Sequence, residues 1–159
     1  MVYSTVVVAL SSEFYNLHPQ NDFPEILHKE ERPYNCLCFS CEKDYSICIP
    51  FRTNMSHRFG YRFRKSARSR NNLSGLDYTK IVIINDDKYI SQIPAVVDND
   101  EFTEMMQNID AIVNGALAYV ENYVNHKKGS CVLDQQVFER RYGRSSIQYF
   151  DDILLEDNS

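Results

Sequence analysis

Positions 52 to 57 read Arg52-Thr53-Asn54-Met55-Ser56-His57, which brings a guanidinium, two hydroxyls, an amide and an imidazole into six residues. These are parts from which RNA can be cleaved without a metal. The substrate's own 2′-OH acts as nucleophile, a side chain moves its proton, and a cation stabilises the charge that develops on the phosphate oxygens. Imidazole is the side-chain type that changes charge between about pH 5 and 8, so His57 is the candidate general acid or base. A plain surface loop can carry the same residues, so a second signal is needed.

That signal is charge. The 159 residues sum to −5, which by itself says nothing about a polyanion. Between positions 45 and 76, however, stand Arg52, Arg58, Arg62, Arg64, Lys65, Arg68 and Arg70 and no acid, so the window is +7 and the remainder −12. Charges are screened within a Debye length of about 8–10 Å, and a ligand therefore feels the window rather than the mean. Residues 58–63 alternate, with Phe59, Tyr61 and Phe63 on one face of a strand and Arg58, Gly60 and Arg62 on the other. Arginine forks bind phosphates bidentately and exposed rings stack on unpaired bases. The rings serve equally as a core face, and that reading is preferred for at least two of them. A polyanion, with RNA favoured, is the ligand class these residues point to. A non-catalytic RNA-binding module and a protein-interaction domain with an acidic partner use the same window.

Other chemistries find less support. No Walker loop, Gly-x-Gly-x-x-Gly, His-Glu-x-x-His or Gly-x-Ser-x-Gly motif occurs, and five glycines in all argue against a nucleotide-cofactor enzyme. Cys36, Cys38, Cys41, Cys48 and Cys131 are an odd number, and the cluster lacks the paired spacing of a zinc site. Cys36 and Cys38, alternate residues of a strand, are expected in the core, and no metal or cofactor is expected. The apolar runs 5–10 and 81–84 are too short to span a bilayer, and the first twelve residues lack signal-peptide features, which gives a cytoplasmic expectation.

The elements that must position the basic window follow from periodicity. A valine-rich strand is expected over 3–10, then a short helix over 13–17 that ends before Pro19. A second short helix is expected from Asp22 to Pro33. Residues 34–40 and 45–51 read as a hairpin about the polar turn 41–44, 58–63 as a strand, and 65–74 as a loop. Residues 79–85 and 88–93 read as a last hairpin turned at Asp86 and Asp87. From Asp98 or Asn99, apolar residues at three- and four-residue spacing predict one long amphipathic helix ending at Gly129, with Gly115 its weak point. A helix over 133–142, a short strand over 145–150 and an acidic tail over 151–159 complete a single domain over 1–159. Strands crowd the first half with no βαβ alternation, which predicts an α+β fold: a twisted antiparallel sheet with helices packed on it. The acidic tail and the start of the long helix are expected to fold back on the basic strip.

Ile49-Pro50-Phe51-Arg52-Thr53-Asn54-Met55-Ser56-His57, with Lys65-Ser66-Ala67-Arg68-Ser69 and Ser74-Gly75-Leu76-Asp77-Tyr78-Thr79-Lys80, resembles the toxins of type III toxin–antitoxin systems. The likeness is greatest to the CptN and TenpN branches and more distant to ToxN and AbiQ. The resemblance implies a fold similar to the Kid/MazF toxins and a metal-independent endoribonuclease leaving 2′,3′-cyclic phosphate and 5′-OH ends. It also implies an RNA antitoxin of pseudoknot repeats that holds the toxin inactive in a closed assembly, with cellular or phage RNA as substrate. Carried onto this chain, it makes Arg52, Thr53, His57 and Lys80 the catalytic candidates. Arg58, Arg62, Arg64, Lys65, Ser66, Arg68, Ser69, Arg70 and Tyr78 become RNA contacts. Met55 stands where the ToxN branch has a lysine, so the cationic role passes to Arg52 or elsewhere.

Overall fold

The centre of the sheet is the hairpin of Asn35–Ser40 (β2) and Ser46–Arg52 (β3), paired antiparallel with Leu37 opposite Ile49 and Cys38 opposite Cys48. Both of its faces are covered, so the two strands are almost continuously apolar rather than alternating, with Leu37, Cys48 and Ile49 fully buried. A computed structural model describes residues 4–28, 34–41 and 43–156. Thr5–Ala9 (β1) pairs with β2. On its other side β3 is bordered by two short strands in succession. Val82–Ile84 (β6) lies against residues 46–48, and Gly75–Asp77 (β5) against Phe51 and Arg52. Pro50, which has no N–H to give, falls between those two partners. Gly60–Arg62 (β4) extends the sheet from β5, giving, among the described residues, six antiparallel strands in an open sheet and an α+β architecture.

Around it run Ser12–Leu17 (α1), Ala67–Asn72 (α2), Asn99–Gln107 (α3), Ile109–Lys128 (α4), Gln135–Tyr142 (α5) and Asp151–Leu154 (α6). Ile112, Val113, Ala116 and Val120 of α4 join Ile47, Leu76 and Ile83 of the sheet in the buried cluster, each large side chain contributing about 1.5–3 kcal/mol by leaving water. Among the described residues, no helix is long and apolar enough to cross a membrane.

Several expected elements form differently. The valine strand lies at the sheet edge, so Val6 stays exposed rather than buried. Residues 22–28 form turns instead of a helix, while Tyr3, the closing Pro33, Glu42 of the hairpin turn and the tail residues 157–159 lie outside the described residues. Only three residues of 58–63 are strand. Residues 65–74 are not a plain loop: Ser66 caps α2 by accepting from the Ser69 N–H at 2.8 Å. The last hairpin is absent. Tyr78–Lys80 is a 3-10 turn, β6 pairs with β3, and residues 88–93 meet the chain just past β1 through the isolated bridge Leu10–Ile90. Residues 145–150 make a 3-10 helix, not a strand.

The long helix is broken at Asn108, whose side-chain amide donates to the Glu104 carbonyl, and not at Gly115. Gly115 instead makes room: a Cβ there would lie 2.5 Å from the Tyr78 hydroxyl. In α3 the amphipathic pattern is kept only in part, at the buried Met105. Phe102 and Met106 are exposed while Glu101 and Glu104 are buried, because the carboxylates are drawn inward by donors on the basic segment.

Candidate functional site

The turn carrying 52–57 is held to the end of α2 from beneath. Asn54 sits in the left-handed region at φ 57° and donates its N–H to the Asn72 carbonyl, and the Met55 N–H donates to that of Leu73. The Met55 side chain is fully buried below Gly60 and Gly75. At Gly75 a Cβ would lie 2.6 Å from Met55 Cε, and at Gly60 2.2 Å from the Leu76 carbonyl oxygen, so glycine lets β4 and β5 close over the methionine. Met55 is therefore inside this protein and presents no cation to the surface.

Above that floor Asp77 gathers the site. Its carboxylate is wholly buried and accepts from Arg52 Nη1 at 2.7 Å, His57 Nε2 at 3.1 Å, Thr79 Oγ1 at 2.6 Å and the Thr79 N–H at 2.9 Å. On the other side of the imidazole, the Phe59 N–H donates to Nδ1 at 3.1 Å. The partners settle the neutral tautomer: the proton is on Nε2, held by Asp77, and the basic nitrogen is Nδ1, covered by a backbone donor. Arg52 keeps 31% of its side chain in solvent, and its remaining donors face the cleft.

Two adjoining clefts open over this group. One, of about 510 Å³, is lined by Glu25, Arg52, His57, Thr79, Lys80 and the arginines 140, 141 and 144. The other, of about 540 Å³, is lined by Arg58, Tyr61, Arg62, Arg64 and Arg140, and the two share His57, Phe59 and Arg140. Together they present seven arginines and Lys80 against one lining carboxylate, Glu25. Arg62 reaches back to the His57 carbonyl at 2.9 Å and stiffens the turn. Lys80 is less free than its type suggests: its ammonium contacts Glu25 at 2.5 Å and the Arg144 carbonyl at 2.9 Å, tying the end of α5 to the cleft wall.

The candidates thus separate. Arg52, His57, Lys80, Arg58, Arg62 and Arg64 converge on the clefts, whereas Thr53 is exposed outside both linings. Lys65, Arg68 and Arg70 lie beyond the clefts, with Lys65 Nζ on Gln107 and Arg68 Nε 3.8 Å from Glu101. Ser66, Ser69 and Tyr78 are buried, and their hydroxyls are used inside the protein, on Glu101, on the Ser66 carbonyl and on the Ile112 carbonyl. In this structure, then, these three residues lie inside the protein rather than on the cleft walls. The acidic segments part likewise. The start of the long helix does meet the basic strip, through Glu101 and Glu104, but Asp151 of the tail pairs with Tyr123 and Lys127.

Sequence reading missed Arg140, Arg141, Arg144, Thr79 and the gathering role of Asp77. A signal for the first three was present, since three arginines within five residues interrupt an otherwise acidic second half. Compared with protein-family models, curated proteins and solved structures, the chain matches none.

Proposed function

We propose that this protein is an endoribonuclease that works without a metal, the toxin of a type III toxin–antitoxin system, acting on cytoplasmic RNA. The observation that carries the reading is the paired arginine cleft centred on His57 and Arg52. Two clefts that meet at one imidazole suit a single RNA strand with a phosphate on either side, and Phe59, ring to ring with His57 at 5.9 Å, offers a surface for a base. Arg52 stabilises the charge on the phosphorane. The 2′-oxygen attacks phosphorus, the P–O5′ bond breaks, and the proton lost by the 2′-OH is matched by one delivered to the leaving 5′-oxygen. His57 takes part through Nδ1 once a substrate hydroxyl displaces the Phe59 N–H, with Asp77 holding Nε2–H. The lining carboxylate Glu25 is already engaged by Lys80, and the buried Asp77 beneath the cleft by Arg52. The resemblance further suggests a Kid/MazF-like fold and a pseudoknot RNA antitoxin seated in the same clefts, in a closed toxin–RNA assembly.

One observation favours a second reading, a non-catalytic RNA-binding module: both ring nitrogens of His57 are occupied in the free protein. The two separate in a cleavage assay on a long RNA in EDTA, with the new ends mapped. Cuts leaving 2′,3′-cyclic phosphates, lost in His57→Ala while binding persists, are the expected result. Binding without cuts by the folded wild type establishes the module. Cuts that persist in His57→Ala and vanish in Thr53→Ala move the proton transfer to the exposed hydroxyl.

A further inference from the structure

In the central hairpin, away from the residues that line the arginine clefts, three thiols share one surface. Cys36 and Cys38 are two residues apart on β2, and Cys48 stands directly across from Cys38 on β3. Directly opposed residues of antiparallel strands have Cα atoms about 4.5–5.5 Å apart, inside the about 4.4–6.8 Å that a disulfide spans. The sulfurs of Cys38 and Cys48 are 2.8 Å apart, with the Cys48 thiol donating to Cys38. Cys36 faces Pro50 and has no thiol opposite.

Cys38 also reaches a groove. A cleft of about 570 Å³ is floored by Val6, Val8, Cys38, Ser46 and Ile84, and Cys38 keeps 7% of its surface while Cys48 has none. The bond from Cys48 holds the Cys38 thiol below its usual range against the opposing effect of burial, and the same bond together with burial pushes Cys48 well up. Both thiols are buried, but Cys38 is the thiolate-prone member that borders the groove and Cys48 the fully covered one.

We infer that Cys38 and Cys48 are an oxidation site that a small neutral hydroperoxide converts to a cross-strand disulfide. The Cys38 thiolate attacks the peroxide, breaking O–O and giving Cys38 sulfenic acid and hydroxide. The Cys48 sulfur then attacks the Cys38 sulfur, its thiol proton joins the departing hydroxyl as water, and the S–S bond closes. Two thiols are oxidised and one peroxide is reduced to water. A neutral oxidant fits the groove because Asp44, Asp86 and Asp87 outnumber Lys43 in its lining and disfavour an anionic disulfide such as oxidised glutathione. None of these residues lines the arginine clefts, so the thiol pair is independent of the RNA reading.

The test uses hydrogen peroxide on the folded full chain carrying Cys41→Ser and Cys131→Ser, with free thiols then blocked and peptides mapped without reductant. Cleavage at Lys43 puts Cys38 and Cys48 on separate peptides. The expected result is a loss of two hydrogens in mass, a linked 38–48 peptide pair, and reversal by dithiothreitol. In Cys48→Ser, Cys38 is expected to accumulate as a dimedone-trapped sulfenic acid. Recovery of both thiols free, over-oxidation of Cys38 without a link, or a link through Cys36 would overturn the inference. The same mapping on the wild-type chain decides the matter if a variant does not fold.

Discussion

The basic segment divides into two halves that meet buried carboxylates in opposite ways. In the first half, Arg52 to Arg64, Asp77 lies beneath the surface and turns Arg52 and His57 towards the clefts. In the second half, Lys65 to Ser74, the carboxylates come from α3 and draw the chain inward. Glu104 clasps the junction of the two halves, accepting from the Tyr61 hydroxyl at 2.7 Å and from the Arg64 and Lys65 N–H groups at 2.9 and 3.0 Å. Glu101 accepts from Ser66 at 2.8 Å and Ser74 at 2.6 Å. One half offers its cations to a ligand and the other is fastened to the scaffold. A run of like charge in a sequence is therefore not one surface, because the carboxylates that fold against it decide which cations remain available.

Removing the first carboxylate gives the largest effect. Asp77→Ala is expected to cost about 3 kcal/mol, since it leaves buried donors on Thr79 without an acceptor and Arg52 without its partner. Urea unfolding measures that loss. On the proposed function, the same variant is expected to lower RNA cleavage about 10²-fold by freeing His57; cleavage that stays within twofold would show that the clefts act without this hub.

On the fastened half, Glu104→Gln is expected to cost about 1–3 kcal/mol at neutral pH and to alter the acid limb of stability. Burial alone would raise the Glu104 carboxyl, but the Tyr61 hydroxyl and the Arg64 and Lys65 N–H groups outweigh it and hold it below its ordinary value. A carboxyl depressed in the folded state stabilises above its unfolded value, about pH 4.3, and that contribution is lost as pH falls through the lower folded value. Melting temperatures from pH 7 to pH 3 are expected to fall less steeply in Glu104→Gln than in the wild type. Parallel curves would show that Glu104 does not shape the acid limb.

The smallest effect on stability, and the sharpest contrast between the halves, comes from the arginines themselves. Arg140→Ala with Arg144→Ala is expected to leave stability within about 0.5 kcal/mol. It should make the plot of log affinity against log salt shallower by about 1.4, at about 0.7 for each single-strand phosphate no longer neutralised. Arg68→Ala with Arg70→Ala, outside the clefts, is expected to change that slope much less. Equal changes in the two pairs would mean that RNA covers both halves alike.

Much of the scaffold was legible because its signals are local. The hairpin of β2 and β3 showed in two apolar runs about a polar turn, α5 in its spacing, and the end of α4 in His126-Lys127-Lys128-Gly129. The break at Asn108 was not legible, because the apolar spacing continues through it. Nor was the inward turn of Glu101 and Glu104, since polarity alone places glutamates outside, and only partners 27 to 43 residues away reverse that. The last hairpin failed for a related reason: β6 finds its partner in β3, and residues 88–93 are left with an isolated bridge to Leu10, just past β1.

The sequence by itself determined the α+β class, the central hairpin, the buried cysteines and the +7 window, because periodicity, capping and charge act over a few residues. Only the tertiary structure decided which cations face a ligand. Asp77 lies 25 positions from Arg52 and 20 from His57, Lys80 is 55 from Glu25, and Arg140 to Arg144 reach the same cleft from the far end of the chain. Whether a carboxylate is buried beneath an arginine or exposed far from it sets that arginine's availability, and this depends on chain closure over distances that no local pattern encodes.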